Sequence, residues 1–353
     1  MKSVAGFKPC CMPTAIGSMP HTDAKRACQI VLENFPEIPV WPQLPRLSLR
    51  ENMYIQYSEG MPCVVMDEQR HRIFFDTSGD VTPKIEKFYE RYLAKDIDVF
   101  ALTPDYAHGF HVFVDVLKKS RPKELKLLKG QVTGPISFGL TVTDENKKAI
   151  VYNEGIFDTV LKTLALKAKW QEREFTQIAP KDVGTLIFFD EPYLVSFGSA
   201  FVSLQRDQVI NYLNECMGAI DGLTGIHCCG RTDWTVLMDT NVDVVSFDAY
   251  NYFESFALYP KELKAFLERG GLLAWGIVPT SEDIARESTE SLMKRFESNI
   301  DLLGEKGIDK ELLLQSSFVT PSCGTGSLSV EFAERVLNLT KSFSKAIREK
   351  YFG

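Results

Sequence analysis

The chain has 353 residues, of which 44% are hydrophobic and 25% charged, a composition typical of a globular protein with a large core. Its net charge of −7 argues against partners such as nucleic acid or an anionic membrane surface. No uncharged apolar run reaches transmembrane length, and the eight scattered cysteines do not form a secreted disulfide framework. We therefore expect reduced thiols and a cytoplasmic protein that binds neither nucleic acid nor membrane.

Short apolar runs alternate with long amphipathic stretches, which is typical of a parallel sheet covered by helices. Strands are predicted at 13–18, 38–43, 127–133, 184–190, 223–228, 243–248, 272–277 and 312–318. The longest helices are predicted at 155–178, 205–220 and 328–350. Eight strands that alternate with helices in a chain of this length predict an α/β fold, a single (β/α)8 TIM barrel over residues 1–353. The alternative is an open doubly wound sheet, although no G-x-G-x-x-G motif follows the first strand.

The segment between the second and third predicted strands is too long for a simple connection. Two short apolar runs flank a polar turn at 68–71, which predicts a β-hairpin insertion after the second strand, at about 60–80. A helix is predicted from Thr82 to about Ala94. We expect the insertion to cover part of the barrel mouth.

One histidine and two cysteines follow predicted strands in a pattern that favours a metal. His227 and Cys229 are two residues apart, so their side chains point to the same face of an extended segment. Cys323 also follows an apolar run. Imidazole and thiolate ligands favour zinc, and catalytic zinc sites combine three protein ligands with an open position. The alternative interpretation is that these cysteines are small buried hydrophobic residues.

Acidic residues also end predicted strands, and each allows two interpretations. Asp190 and Glu191 follow a buried strand, where paired carboxylates can do acid–base work or hold an ammonium group. Asp248 is either a displaceable fourth zinc ligand or the N-cap of a helix. Strand alternation turns Cys228 away from Cys229, so Cys228 is not expected to bind the metal.

Five motifs together resemble one known family: Ile-Gly-Ser-x-Pro at 16–20, Gln-Val-Thr-Gly-Pro at 131–135, Asp-Glu-Pro at 190–192, His-x-Cys at 227–229, and Cys323. In order and spacing they resemble the catalytic C-terminal barrel of cobalamin-independent methionine synthase. That family belongs to a wider group with uroporphyrinogen decarboxylase and zinc-dependent corrinoid methyltransferases. The resemblance covers nearly the whole chain and is to the short, single-barrel type.

The resemblance implies a set of site residues. The implied zinc ligands are His227, Cys229, Cys323 and Asp248. The first three of these are also the implied catalytic residues. The aspartate stands where the family has a glutamate. The residues implied to bind homocysteine are Ile16, Gly17, Ser18 and Asp190, with Glu51 as a further candidate.

One departure from the family bears on the methyl donor. Val278 stands where the family has a histidine thought to act in proton transfer to folate. A Co(I) leaving group needs no proton, so the resemblance favours methylcobalamin, or a methylated corrinoid protein, over methyltetrahydrofolate. The implied activity is zinc-dependent transfer of a methyl group to a small-molecule thiol, homocysteine, which gives methionine.

Three other functions stay open from the sequence. The thiol could be a different one, such as coenzyme M. The chain could be a uroporphyrinogen decarboxylase-like enzyme, in which Arg46 and Arg50 would bind substrate carboxylates. It could also be a zinc-binding or corrinoid-handling protein without turnover. The zinc content of the protein distinguishes the decarboxylase, which needs no zinc, from the other hypotheses.

Overall fold

The computed structural model describes residues 6–353. The strands in this range are β1 (Val64–Asp67), β2 (Arg72–Phe75), β3 (Leu127–Thr133), β4 (Thr143–Asp144), β5 (Gly184–Asp190), β6 (Leu223–Cys228), β7 (Val244–Phe247), β8 (Leu272–Val278) and β9 (Ser317–Pro321). The α-helices are α1 (Ala24–Asn34), α2 (Met53–Tyr57), α3 (Thr82–Leu93), α4 (His108–Lys119), α5 (Pro135–Thr141), α6 (Glu154–Ile178), α7 (Arg206–Met217), α8 (Trp234–Met238), α9 (Ala249–Phe256), α10 (Pro260–Glu268), α11 (Thr289–Glu305), α12 (Lys310–Gln315) and α13 (Val330–Phe352). None of the helices described is long and apolar enough to cross a membrane.

The main sheet is curled and contains six parallel strands in the order β3-β5-β6-β7-β8-β9. The α/β class with a parallel sheet is therefore confirmed, and β3, β5 and β6 have the predicted bounds. The last predicted strand, 312–318, was wrong in its first half. Asp309 accepts a hydrogen bond from the Leu312 N–H and begins α12, in which successive leucines favour a helix.

The first two predicted strands, 13–18 and 38–43, are not regular strands in this structure. Isolated parallel bridges join Pro13 to Val319, Ser18 to Gln43, and Val40 to Lys129. These bridges lead from β9 through both segments to β3, so the two edges of the six-stranded sheet are linked. Proline lacks the N–H that a ladder needs, and residues 36–45 contain four prolines, which explains why no continuous strand forms.

Alternate residues of the six strands enter two separate cores. One set, with Leu127, Leu186 and Leu223 among them, packs with Phe7 in a small cluster enclosed by the sheet. The other set packs outward against the helices in a much larger cluster, which includes Ile187 and Ile226. Polar residues replace the apolar ones on the inward face near the carboxyl ends of the strands, and these include Gln131, Asp190, His227, Ser246 and Thr320.

The predicted hairpin is confirmed. Strands β1 and β2 pair in antiparallel fashion, and β2 also pairs in parallel with the short β4. The helix predicted to start at Thr82 does so and ends at Leu93. The hairpin therefore belongs to a small three-stranded sheet outside the main one.

Candidate metal centre

A cavity of about 430 Å³ opens at the carboxyl ends of the parallel strands. Its lining includes seven of the predicted site residues: Ile16, Ser18, Glu51, Asp190, His227, Cys229 and Cys323. Its other lining residues come from segments 43–53 and 324–327 and from Pro192, and none comes from the hairpin. The hairpin therefore contributes nothing to the lining, and its expected position over part of the barrel mouth stays a prediction. A larger groove, of about 620 Å³, lies outside the sheet between α1 and α4 and is lined by residues such as Lys25 and Asp115.

The structure brings three predicted ligands together. One side-chain atom each from His227, Cys229 and Cys323 lies within 4.8 Å of the other two. Among the described residues, no other group of three His, Cys or acidic side chains lies close enough together to hold a metal ion. His227 and Cys229 meet because both face inward at the end of β6, and Cys323 follows β9.

The His227 ring is oriented for a ligand at its second nitrogen. Its Nδ1 lies 2.9 Å from the Ser246 Oγ on the neighbouring strand β7. When Nδ1 carries the proton it donates to this hydroxyl, and Nε2 then presents a lone pair. Nε2 is buried and has no hydrogen-bond partner in the protein. A metal ion at this position would satisfy it, so the donor set of one imidazole and two thiols fits zinc.

The two cysteines differ in how readily they ionise. The neighbouring Cys323 thiol and then His227 lower the pKa of Cys229 below its usual range, against the opposing effect of burial. The pKa of Cys323 is raised well above its usual range, first by Cys229 and then by burial. One negative charge therefore opposes a second at this site. A bound cation is what would allow both sulfurs to be thiolates.

Asp248 lies outside the group of three. It is the N-cap of α9, where its Oδ1 accepts from the Asn251 N–H at 2.9 Å and its Oδ2 accepts from the Asn251 side chain at 2.7 Å. Burial raises the pKa of Asp248; the nearby His227 lowers this pKa and Cys229 raises it. The structure therefore gives Asp248 the capping role that the sequence left open, and its role as a fourth ligand stays a prediction.

The two acids at the end of β5 have different environments. Asp190 lines the cavity, and its buried Oδ1 has no hydrogen-bond partner. Burial raises the pKa of Asp190 to about 6. Glu191 is fully buried and accepts from the Ile136 and Ser137 N–H groups at 2.9 and 2.7 Å, at the start of α5. Only Asp190 is therefore available to a ligand such as an ammonium group.

The Ile16–Ser18 segment forms another wall of the cavity. Gly17 has a φ of +142°, and a Cβ there would lie 2.6 Å from the Gln131 side chain, so the position requires glycine. Gly17 itself does not line the cavity. The Ser18 carbonyl accepts from the Thr325 N–H at 2.8 Å, which ties this segment to the loop that carries Cys323.

Glu51 lines the cavity, but its carboxylate is already occupied. Its two oxygens accept from the Leu44 N–H at 3.0 Å and the His108 N–H at 2.9 Å. Burial raises the pKa of Glu51 to about 7. In this arrangement Glu51 fixes the surrounding loops, and its role in substrate binding stays a prediction.

The arginines expected for a decarboxylase do not reach the cavity. Arg46 donates to the Ser327 and Leu328 carbonyls at 2.9 and 2.8 Å. Arg50 is half-buried and pairs with Glu68 and Asp105. Neither arginine is among the residues that line the cavity.

Sequence reasoning did not find two residues that support the site, Ser246 and Lys129. Lys129 is fully buried, and its Nζ donates to the Ile16 carbonyl at 2.8 Å. Burial lowers the pKa of Lys129 to about 7, and the charge of Asp190 opposes this effect. A lysine at an inward position of an otherwise buried strand was the available signal. Ser246 carried none, because its contact depends on the pairing of β6 with β7.

Comparisons with known proteins find similarity among solved structures. No protein-family model matches the chain. No curated protein matches it. Among solved structures, the chain is similar to a B12-independent methionine synthase from Shewanella sp. W3-18-1, determined in complex with selenomethionine. The two share 18% sequence identity over 67% of each chain, with a TM-score of 0.47.

Proposed function

We propose that this chain is a zinc-dependent methyltransferase that transfers a methyl group to the thiol of homocysteine and so forms methionine. The observation that carries the proposal is the His227, Cys229 and Cys323 group in the same cavity as Asp190. The three ligands would hold a metal ion that binds the substrate sulfur, and the unpartnered Asp190 carboxylate would hold an ammonium group. A small amino acid with a thiol carries both features.

Zinc would be held by the Nε2 of His227 and the Sγ atoms of Cys229 and Cys323. When bound there, zinc would lower the pKa of the substrate thiol, so that its proton passes to solvent and the bound sulfur is a nucleophilic thiolate. Ser246 would keep the His227 ring in place through Nδ1. Asp190 and Ser18 would orient the amino-acid end of the substrate, which contributes to the rate through positioning.

The methyl donor we propose is methylcobalamin or a methylated corrinoid protein. Val278 is fully buried and packs in the outer core, so it offers no proton-transfer group at that position. This favours a donor whose leaving group needs no proton. The donor would approach from the open side of the cavity, because a corrinoid is far larger than the space inside.

Two further points belong to the same proposal. We take residues 1–353 as one barrel, in which segments 13–18 and 40–43 complete the ring through single bridges; residues 1–5 lie outside the described part. We also take Asp248 as a displaceable fourth ligand, which would exchange its contacts with Asn251 for the metal. A cytoplasmic location is part of the proposal as well.

The test is an anaerobic assay of zinc-quantified protein with homocysteine and methylcobalamin, followed by detection of methionine. We expect about one zinc per chain and methionine formation, and we expect Cys229→Ser and Cys323→Ser to lose both. Zinc without methionine would redirect the proposal to another thiol, such as coenzyme M, or to another donor. A protein without zinc would overturn the proposal in favour of a decarboxylase-like enzyme.

A further inference from the structure

Lys129 is a buried lysine inside the sheet for which the chemistry proposed above has no use. It occupies an inward position of β3, two residues before Gln131, and is fully inaccessible to solvent. Its Nζ donates to the Ile16 carbonyl at 2.8 Å and lies 4.2 Å from the centre of the Phe188 ring.

This placement is costly in free energy. An ammonium group removed from water needs compensating contacts, and Lys129 has one carbonyl and one aromatic face. Asp190 is the charged group that acts on it through space. A leucine or methionine would fill such a position without this desolvation cost. The presence of a lysine therefore indicates a role other than packing.

The contacts of Lys129 lead directly to the cavity. Ile16 and Ser18 line the cavity, and Gly17 between them has a backbone conformation that favours glycine. Backbone hydrogen bonds join Gly17 and Met19 to Gln43, and Ser18 to Thr325, but none of these reaches the Ile16 carbonyl, which accepts from Lys129 instead. The Lys129 ammonium therefore anchors a wall of the site that regular sheet pairing does not hold.

We propose that Lys129 is a positioning residue, whose Nζ fixes the Ile16–Ser18 segment from inside the sheet so that the cavity selects the amino-acid end of its thiol substrate. The inference rests on the proposed function for its kinetic part only. The anchoring of Ile16 by Lys129 can be measured without any turnover.

The chain offers a matched control. Lys167 is also fully buried, but it lies on α6 and donates to the Ala101 carbonyl at 3.3 Å, away from the cavity. Lys129→Met and Lys167→Met each remove one buried ammonium and keep a side chain of similar length. Effects shared by the two variants report on the loss of a buried charge, and effects confined to Lys129→Met report on the site.

The first measurement is hydrogen exchange of peptides covering residues 13–20 in the zinc-loaded protein. We expect exchange there to be about tenfold faster in Lys129→Met than in wild type and unchanged in Lys167→Met. The second is the KM for homocysteine against the KM for propanethiol, which lacks the amino and carboxylate groups. We expect Lys129→Met to raise only the former, by about tenfold, with zinc content unchanged.

Other outcomes separate the two proposals. Unchanged exchange at 13–20 in Lys129→Met would overturn the anchoring role, and equal losses for both thiols would overturn the role in selection. If wild type methylates neither thiol, the proposed function fails, while the exchange measurement still decides whether Lys129 anchors Ile16. If Lys129→Met does not fold, Lys129→Gln replaces it, since it keeps an N–H donor and removes the charge. Combining Ser18→Ala with the Lys129 variant should give less than the sum of their effects on KM if both act through this segment.

Discussion

At the scale of single residues, the alternation of β6 decides which sulfur can reach a metal. Cys228 packs in the outer core, and its Sγ lies 3.8 Å from the Gly230 carbonyl oxygen. Burial raises the pKa of Cys228 to about 12. Cys229, the next residue, faces inward beside His227. Two adjacent cysteines therefore have opposite environments, as strand geometry requires.

The first prediction compares these neighbours. Cys229→Ser should lose bound zinc, because a serine hydroxyl is a poor zinc ligand. Cys228→Ser should keep about one zinc per chain and lose about 1–3 kcal/mol of unfolding free energy, since it buries a hydroxyl among apolar groups. Zinc analysis and urea unfolding of both variants check this. A loss of half or more of the zinc in Cys228→Ser would show that the ligand assignment is wrong.

Asp248 allows its two roles to be tested separately. Asp248→Asn keeps an oxygen that can accept from the Asn251 N–H, and asparagine is as good an N-cap as aspartate. If Asp248 is a displaceable ligand, Asp248→Asn should weaken zinc binding by about tenfold, less than either cysteine change. Competition with a chelator measures this. Unchanged zinc affinity in Asp248→Asn, with about 1 kcal/mol lost in Asp248→Ala, would leave it as a helix cap alone.

At the scale of elements, Glu191 joins three of them near the site. Its N–H donates to the His227 carbonyl at 2.7 Å, and its carboxylate accepts from two N–H groups at the start of α5. Gly134 is needed beside it, because a Cβ there would lie 2.2 Å from the Glu191 carboxylate. The second acid of the Asp-Glu pair thus fixes β5, β6 and α5 relative to one another.

Glu191 also predicts a pH dependence of stability. Burial raises its pKa from 4.5 to about 7, so the folded protein holds this proton more tightly than the unfolded chain does. The stability that Glu191 contributes is therefore fully present below about pH 4.5 and is lost as the pH rises through about 7, by at most about 3 kcal/mol. Glu191→Gln cannot ionise, so its unfolding free energy should fall less between pH 5 and pH 8.

Urea unfolding of the zinc-free proteins at both pH values tests this. Glu282→Gln, which changes an exposed carboxylate, is the control and should behave like wild type. An identical difference between pH 5 and pH 8 in wild type and Glu191→Gln would contradict the prediction.

The sequence predicted those elements whose local pattern agrees with their environment. Strands β3, β5 and β6 are buried on both faces, so their apolar runs coincide with their bounds. The run at 312–318 misled, because Asp309 caps α12 and this helix extends through the first half of the run, to Gln315. His227, Cys229 and Cys323 were found because ligand chemistry depends on residue type. Lys129 and Ser246 were not found, since their contacts with Ile16 and His227 exist only once distant segments pack together.

At the scale of the whole molecule, the two linking segments supply Ile16, Ser18 and Gln43 to the cavity wall, while the ends of β6 and β9 position His227, Cys229 and Cys323. Three backbone hydrogen bonds join residues 13–18 to their neighbours: Thr14 N–H donates to Val319 and Gln43 N–H to Gly17, both at 3.0 Å, and Thr325 N–H donates to Ser18 at 2.8 Å. The regular ladders from β3 to β9 are continuous by comparison. Local opening needs less free energy where fewer such contacts must break.

Native-state hydrogen exchange should therefore divide the molecule into two parts. We expect amides in 13–18 and 40–43 to exchange through openings several kcal/mol below global unfolding, and those in β5 and β6 to exchange only with global unfolding. Zinc and homocysteine together should protect 13–18 more than 40–43, because Ile16 and Ser18 line the cavity and the Ser18 carbonyl is tied to Thr325 beside Cys323. Equal protection of the two linking segments and the six parallel strands before ligand is added would mean that the linking segments are as stable as the strands. In that case the substrate wall would be rigid from the start, and binding would need no ordering of the 13–18 segment.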